Sequence, residues 1–137
     1  MRLKIKRLDP AIGLPAPATA GSAGFDLAAA NDVEIPPHAI RLVGTGLVIG
    51  VPDGHLLGIF ARSSTPLQRG LMVANGVGVI DSDYCGPADE IKIQVLNVTD
   101  QPVLVRRGDR LAQGILLSTP RIEWDEVSEM ATPTRGG

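Results

Sequence analysis

An all-β fold, a sandwich or a barrel, is what this sequence predicts, and three observations predict it. The 137 residues include 16 glycines and 11 prolines, which cut the chain into short segments rich in Val, Ile and Leu. Two segments, Leu3-Lys4-Ile5-Lys6 and Glu90-Ile91-Lys92-Ile93-Gln94-Val95, alternate apolar and polar residues with the two-residue period of a strand. The breaks between segments carry turn formers such as Gly44-Thr45-Gly46 and Arg107-Gly108-Asp109, as a chain that reverses often requires.

Residues 3–6 read as the opening strand and 10–17 as a loop. Strands follow at Phe25-Asp26-Leu27-Ala28, behind a run of small residues, and at 32–35, closed by Pro36-Pro37. Residues 39–51 divide into two strands at Gly44-Thr45-Gly46, and 56–61 form a compact apolar strand ending at Arg62-Ser63-Ser64. Thr65-Pro66-Leu67-Gln68-Arg69 suits one helical turn, with Pro at its first position. Leu71-Met72-Val73 leads into residues 75–86, where glycines 76 and 78 loosen the backbone and Asp81-Ser82-Asp83 supplies turn chemistry; a β-hairpin is expected there. In residues 90–95, Ile91, Ile93 and Val95 share one face. Strands at 103–105 and 111–117 follow, the latter apolar enough for burial on both faces. In residues 122–130, Ile122 and Trp124 suit a strand while Trp124, Val127 and Met130 fit helical spacing; of the two, a strand through Val127 is expected. The expected organisation is a single domain over residues 1–131 with a tail at 132–137.

A chain of this length buries about two thirds of its unfolded surface. The net charge of −2 gives no support to a polyanion-binding face, so nucleic-acid polymers are not expected partners. Cys85 is the only cysteine, which excludes a disulfide within the chain and suggests a reducing, cytoplasmic setting. The basic start leads into Asp9-Pro10 rather than an apolar signal core, and no apolar run approaches membrane-spanning length.

Among residues able to do chemistry, Arg62, Ser63 and Ser64 at a strand end offer a guanidinium and two hydroxyls to a phosphate, or else a helix cap with Arg62 in solvent. Asp26, flanked by apolar residues, needs a partner, such as a backbone N–H or a water on a metal. Gln113 has the same need within its apolar strand. Asp81 stands at a strand end, with Tyr84 beside it, on a backbone that could accept a flat ligand. His38 and His55 have no acid or Cys at metal-ligand spacing, and no histidine near Ser63 or Ser64 supports a nucleophilic triad.

In identity, order and spacing, Ala-Gly-Phe-Asp-Leu from 23, Ala-Arg-Ser-Ser from 61, Gly-Val-Ile-Asp-Ser-Asp-Tyr from 78, Arg-Gly-Asp-Arg-Leu-Ala-Gln from 107 and the terminal Arg135-Gly136-Gly137 resemble the five motifs of the trimeric dUTP diphosphatases. The resemblance implies a jelly-roll-like β fold, a homotrimer whose active sites are shared between subunits, Mg²⁺ as cofactor, and hydrolysis of dUTP to dUMP and pyrophosphate. It implies that Asp81 activates the attacking water, that Arg62, Ser63 and Ser64 bind the phosphates, and that Gln113 positions the α-phosphate or the water. Asp26 would reach the metal indirectly, through water. Arg135 would lie over the γ-phosphate as a mobile cation. Asn75 and the backbone at Gly76 and Val79 would read uracil, and Tyr84 would pack under the deoxyribose, where a 2′-hydroxyl would clash.

The sequence departs from the family pattern at Cys85, at a small insertion of Pro87-Ala88-Asp89, and at its end. There the family continues with glycines and a phenylalanine that stacks on uracil, so either the sequence is trimmed at its end or the closing segment is incomplete. Two other readings share the resemblance: a dCTP deaminase of the same fold, and a nucleotide-sensing module without turnover.

Overall fold

The computed structural model describes residues 1–136, and its regular structure is almost wholly strand. The elements are β1 (Ile5–Arg7), β2 (Phe25–Ala28), β3 (Val33–Ile35), β4 (Ile40–Gly44), β5 (Leu47–Ile49), β6 (His55–Ala61), α1 (Ser64–Arg69), β7 (Leu71–Val73), β8 (Gly78–Ile80), β9 (Lys92–Asn97), β10 (Val103–Val105) and β11 (Arg110–Ser118). Two antiparallel sheets form the body, one in the order β2-β11-β6-β8 and the other β4-β9-β7. Two ribbons, β1-β5 and β10-β3, flank them.

The alternation in the sequence becomes the two faces of these sheets. Ile91, Ile93 and Val95 are all fully buried, as is Asn97, which continues their face. They meet Val43 and Leu71 from the same sheet and Leu27, Leu57, Ile59 and Leu111 from the other in one core, where the apolar area withdrawn from water drives folding. Buried Asn97 donates through Nδ2 to the carbonyls of Ile35 (3.0 Å) and Gln101 (2.7 Å) and accepts through Oδ1 from the N–H and hydroxyl of Thr99 (2.9 and 2.8 Å). That one side chain thus fastens the end of β9 to β3 and to the turn before β10.

Four expectations need correction. Residues 75–86 are not a hairpin of mutually paired strands, because β7 pairs with β9 while β8 pairs with β6 in the other sheet. The glycine-rich stretch carries the chain from one sheet to the other. Pro66 is the third residue of α1 rather than the first, still within the turn whose N–H groups lack intrahelical acceptors. β11 is buried at Leu111 and Ala112, but Leu117 is 40 % exposed. Residues 122–127 form no strand and pair with none of the other strands, and Trp124 is 88 % exposed, so alternation without a partner leaves the segment irregular.

Candidate active site

β2, β11 and β6 lie side by side, and their register lines up the polar residues of the first, second and fourth motifs. Gln113 is opposite Asp26 on one side and Phe60 on the other. Leu27 and Ala112, one step along, point into the core, so Asp26, Gln113 and Phe60 occupy the outer face. The Asp26 side chain is only 13 % exposed, and each carboxylate oxygen meets a guanidinium: Oδ1 is ion-paired with Arg62 Nε at 2.8 Å, and Oδ2 accepts from Arg110 Nη1 at 3.2 Å. Two arginines, rather than a backbone N–H, are the protein partners of Asp26. Gln113 donates through Nε2 to the carbonyl of Ala61 at 3.0 Å, which satisfies the need its setting created.

One carboxylate shared by two guanidinia leaves an excess positive charge beside Gln113, suited to a polyphosphate. Neither half of the capping alternative holds. Arg62 is ion-paired and 23 % exposed, and Ser63 precedes α1 without any capping bond from its side chain. Ser63 and Ser64 follow the clamped arginine directly in the chain. Arg110, inside the fourth motif, went unassigned at the sequence level. The signal was its fixed place after Gly108-Asp109, but the pairing that carries it to Asp26 spans 84 residues.

The third motif lies elsewhere in the chain. Gly76 has φ 74° and is bracketed by a hydrogen bond from Val77 N–H to the Asn75 carbonyl at 2.9 Å. This is the positive-φ γ-turn that only glycine enters without strain. A Cβ on Gly78 would lie 3.0 Å from Ile59 Cβ, so a bare backbone lets β8 close onto β6. Asn75, Val79 and Asp81 are exposed. Asp81 follows β8 and opens on a groove of about 300 Å³ walled by Leu42, Val79, Tyr84, Glu90 and Lys92. Tyr84 donates its hydroxyl to the Glu90 carbonyl at 3.1 Å, while the Glu90 carboxylate accepts from Gly46 N–H at 2.8 Å. The groove wall is therefore anchored to the turn between β4 and β5.

Ile80 pairs with Leu57, near one end of β6, whereas Arg62 follows its other end. About five residues of extended chain lie between, roughly 17 Å. Within one chain, Asp81 and the Arg62–Asp26–Gln113 cluster are not brought together. Arg135 lies in the exposed terminal segment without regular structure, and Gly137 of the fifth motif falls outside the described residues. The insertion folds into a tight turn: Gly86 N–H donates to Asp89 Oδ2 at 2.7 Å and Lys6 Nζ to the Pro87 carbonyl at 2.9 Å. Cys85 is free and exposed.

No cluster of three or more His, Cys, Asp or Glu suited to a metal occurs among the described residues. With both oxygens held by arginines, Asp26 is a poor direct ligand. No helix among the described residues is long and apolar enough to cross a membrane.

Comparison with known proteins gives a consistent result. The family model described as dUTPase matches residues 11–137. The deoxyuridine 5'-triphosphate nucleotidohydrolase of Helicobacter pylori strain P12 is 37% identical over 99% of this chain and 92% of the relative. The protein of the same name from Thermobifida fusca is 40% identical, covering 99% of this chain and 75% of its own. Among solved structures, the dUTPase of Streptococcus mutans superposes with a TM-score of 0.81 at 38% identity, over 89% of this chain and 98% of that one. A dUTPase from phage phi11 of Staphylococcus aureus, whose structure describes coordination of a structural Mg(II) ion, has a TM-score of 0.83 at 19% identity, a likeness of fold alone; it covers 96% of this chain and 100% of that one.

Proposed function

The chain belongs to the dUTPase family, with its jelly-roll-like β fold, and on that premise we infer that it hydrolyses dUTP to dUMP and pyrophosphate. One observation in the molecule carries the reaction class: two guanidinia share the Asp26 carboxylate beside Gln113, an electropositive cradle for a triphosphate. Arg62, Ser63 and Ser64 would hold the phosphates and the charge developing on the bridging oxygen, and Gln113 would set the α-phosphate or the water. Asp81 would take the proton of the attacking water as general base. Asn75 and the backbone of Gly76 and Val79 would read the uracil edge, and the anchored Tyr84 would lie under the deoxyribose. Arg135, in the tail at 132–137 that would follow a domain over 1–131, would approach the γ-phosphate.

Mg²⁺ bound on the triphosphate would neutralise charge on the leaving pyrophosphate, with Asp26 reaching its water shell. Asp26 itself serves first to aim Arg62. The deaminase and non-catalytic readings are not favoured by relatives named as nucleotidohydrolases.

The proposal includes a homotrimer with shared sites. Two observations support it: the separation of Asp81 from the phosphate cluster, and an apolar row on the outer face of β4-β9-β7. Ile40 (51 % exposed) and Met72 (48 %) both lie opposite Leu96 there, a pattern typical of subunit contacts. A reducing, cytoplasmic setting agrees with the free Cys85. The test is product analysis: pyrophosphate from dUTP and no ammonia from dCTP are expected, and ammonia from dCTP would replace this reading with the deaminase.

A further inference from the structure

The pairing of β6 with β11 ends at Ala61 opposite Ala112, yet the two segments stay joined well beyond it. On its other edge, β11 shifts register against β2 between Arg110 and Ala112, a bulge that leaves Leu111 without a cross-strand partner. Such bulges re-aim the backbone next to functional sites. The Leu111 carbonyl accepts from Thr65 Oγ1 at 2.9 Å, and Thr65 is 1 % exposed. One turn further along α1, Arg69 Nη1 reaches Asp109 Oδ2 at 2.9 Å, with side chains 32 % and 26 % exposed. The same Asp109 oxygen accepts from Arg106 N–H at 2.9 Å, which closes the turn before β11. Below Thr65, its own N–H donates to the Arg62 carbonyl at 3.1 Å.

We propose that Thr65 and Arg69 are positioning residues for triphosphate turnover: they pin α1 to the β11 bulge and so hold the Ser63 and Ser64 hydroxyls in fixed register with Arg62 and Gln113. The inference rests on the reading of this cluster as the triphosphate site. Three residues from one short helical segment cannot hold their places through local structure alone. Ser63 makes no capping bond, and a helix this short has little stability of its own. The two bonds to the 109–111 backbone and side chain supply what the helix lacks. Their order also matters: Thr65 and Arg69 lie four residues apart, on one face of α1, and meet acceptors two residues apart, the Leu111 carbonyl at the start of β11 and the Asp109 carboxylate just before it. Neither side chain touches the outer face where Gln113 lies, so each acts through the segment it anchors.

The experiment compares wild type with Thr65→Val, Thr65→Ser and Arg69→Met. It measures kcat and KM for dUTP, inhibition by deoxyuridine, which lacks every phosphate, and thermal melting. Thr65→Val keeps the side-chain shape and removes the donor; it is expected to lower kcat/KM for dUTP at least about tenfold while deoxyuridine inhibition stays within about twofold, because misplacement by a fraction of an ångström weakens oriented contacts. Thr65→Ser, which restores the donor, should recover most of the loss. Arg69→Met, at a partly exposed site, should shift the same ratio in the same direction, and it decides the matter if Thr65→Val does not fold. Equal losses toward dUTP and deoxyuridine, or unchanged kcat/KM in folded Thr65→Val, would overturn the proposal. If the wild-type protein releases no pyrophosphate from dUTP, the functional reading fails. The positioning role is then decided by calorimetric affinities for a non-hydrolysable dUTP analogue against deoxyuridine, with the same selective loss expected.

Discussion

Asp26 and Asp81 are both aspartates on or beside strands of one sheet, and their surroundings give them different work. Asp26 is nearly enclosed and paired with two guanidinia, and in the proposed function it would hold Arg62 still. Asp81 is exposed beside a groove, where a carboxylate can take a proton from water. Replacing Asp81 by Asn preserves its shape and removes the base; kcat should fall at least about a hundredfold with KM little changed, as steady-state assays would register. Tyr84 is held by Glu90, so Tyr84→Ala should narrow the ratio of kcat/KM for dUTP over UTP by about tenfold or more, through loss of a wall rather than of a bond to substrate.

At the scale of elements, the paired strands were legible where the sequence carried a period. Ile91, Ile93 and Val95 announced an inward face, and all three are fully buried. Where the sequence carried only turn chemistry it marked that the chain reverses, but not which strand receives it. Gly76 and Gly78 suggested a hairpin; the strand they feed pairs with β6 across the sandwich. Ile122 and Trp124 had the right alternation for a strand, yet they pair with none of the chain's strands, because alternation alone names no partner. The partners of Asp26 were illegible for a related reason, since they depend on three strands meeting from distant parts of the sequence. Asn97 shows the converse, a polar residue in an apolar register whose role becomes plain only when β3 and the β9–β10 turn close around it. Asn97→Ala would strand several buried donors and acceptors, and unfolding in urea at fixed protein concentration should show a loss of about 3 kcal/mol.

The whole molecule poses the question that one chain leaves open. On the proposed reading, the phosphate-binding cluster and the general base stand at opposite ends of β6, and a working site would take Asp81 from one copy and Arg62, Asp26 and Gln113 from another. Symmetry then supplies every copy with the half it lacks. The direct measurement is complementation between two disabled chains, Asp81→Asn and Arg62→Ala, denatured together in equal amounts and refolded. Random assembly should recreate intact sites from opposite halves and restore about a quarter of wild-type dUTP hydrolysis, although neither variant refolded alone is active. A mixture that stays as inactive as its components, while sedimenting as a mixed assembly, would contradict the shared site.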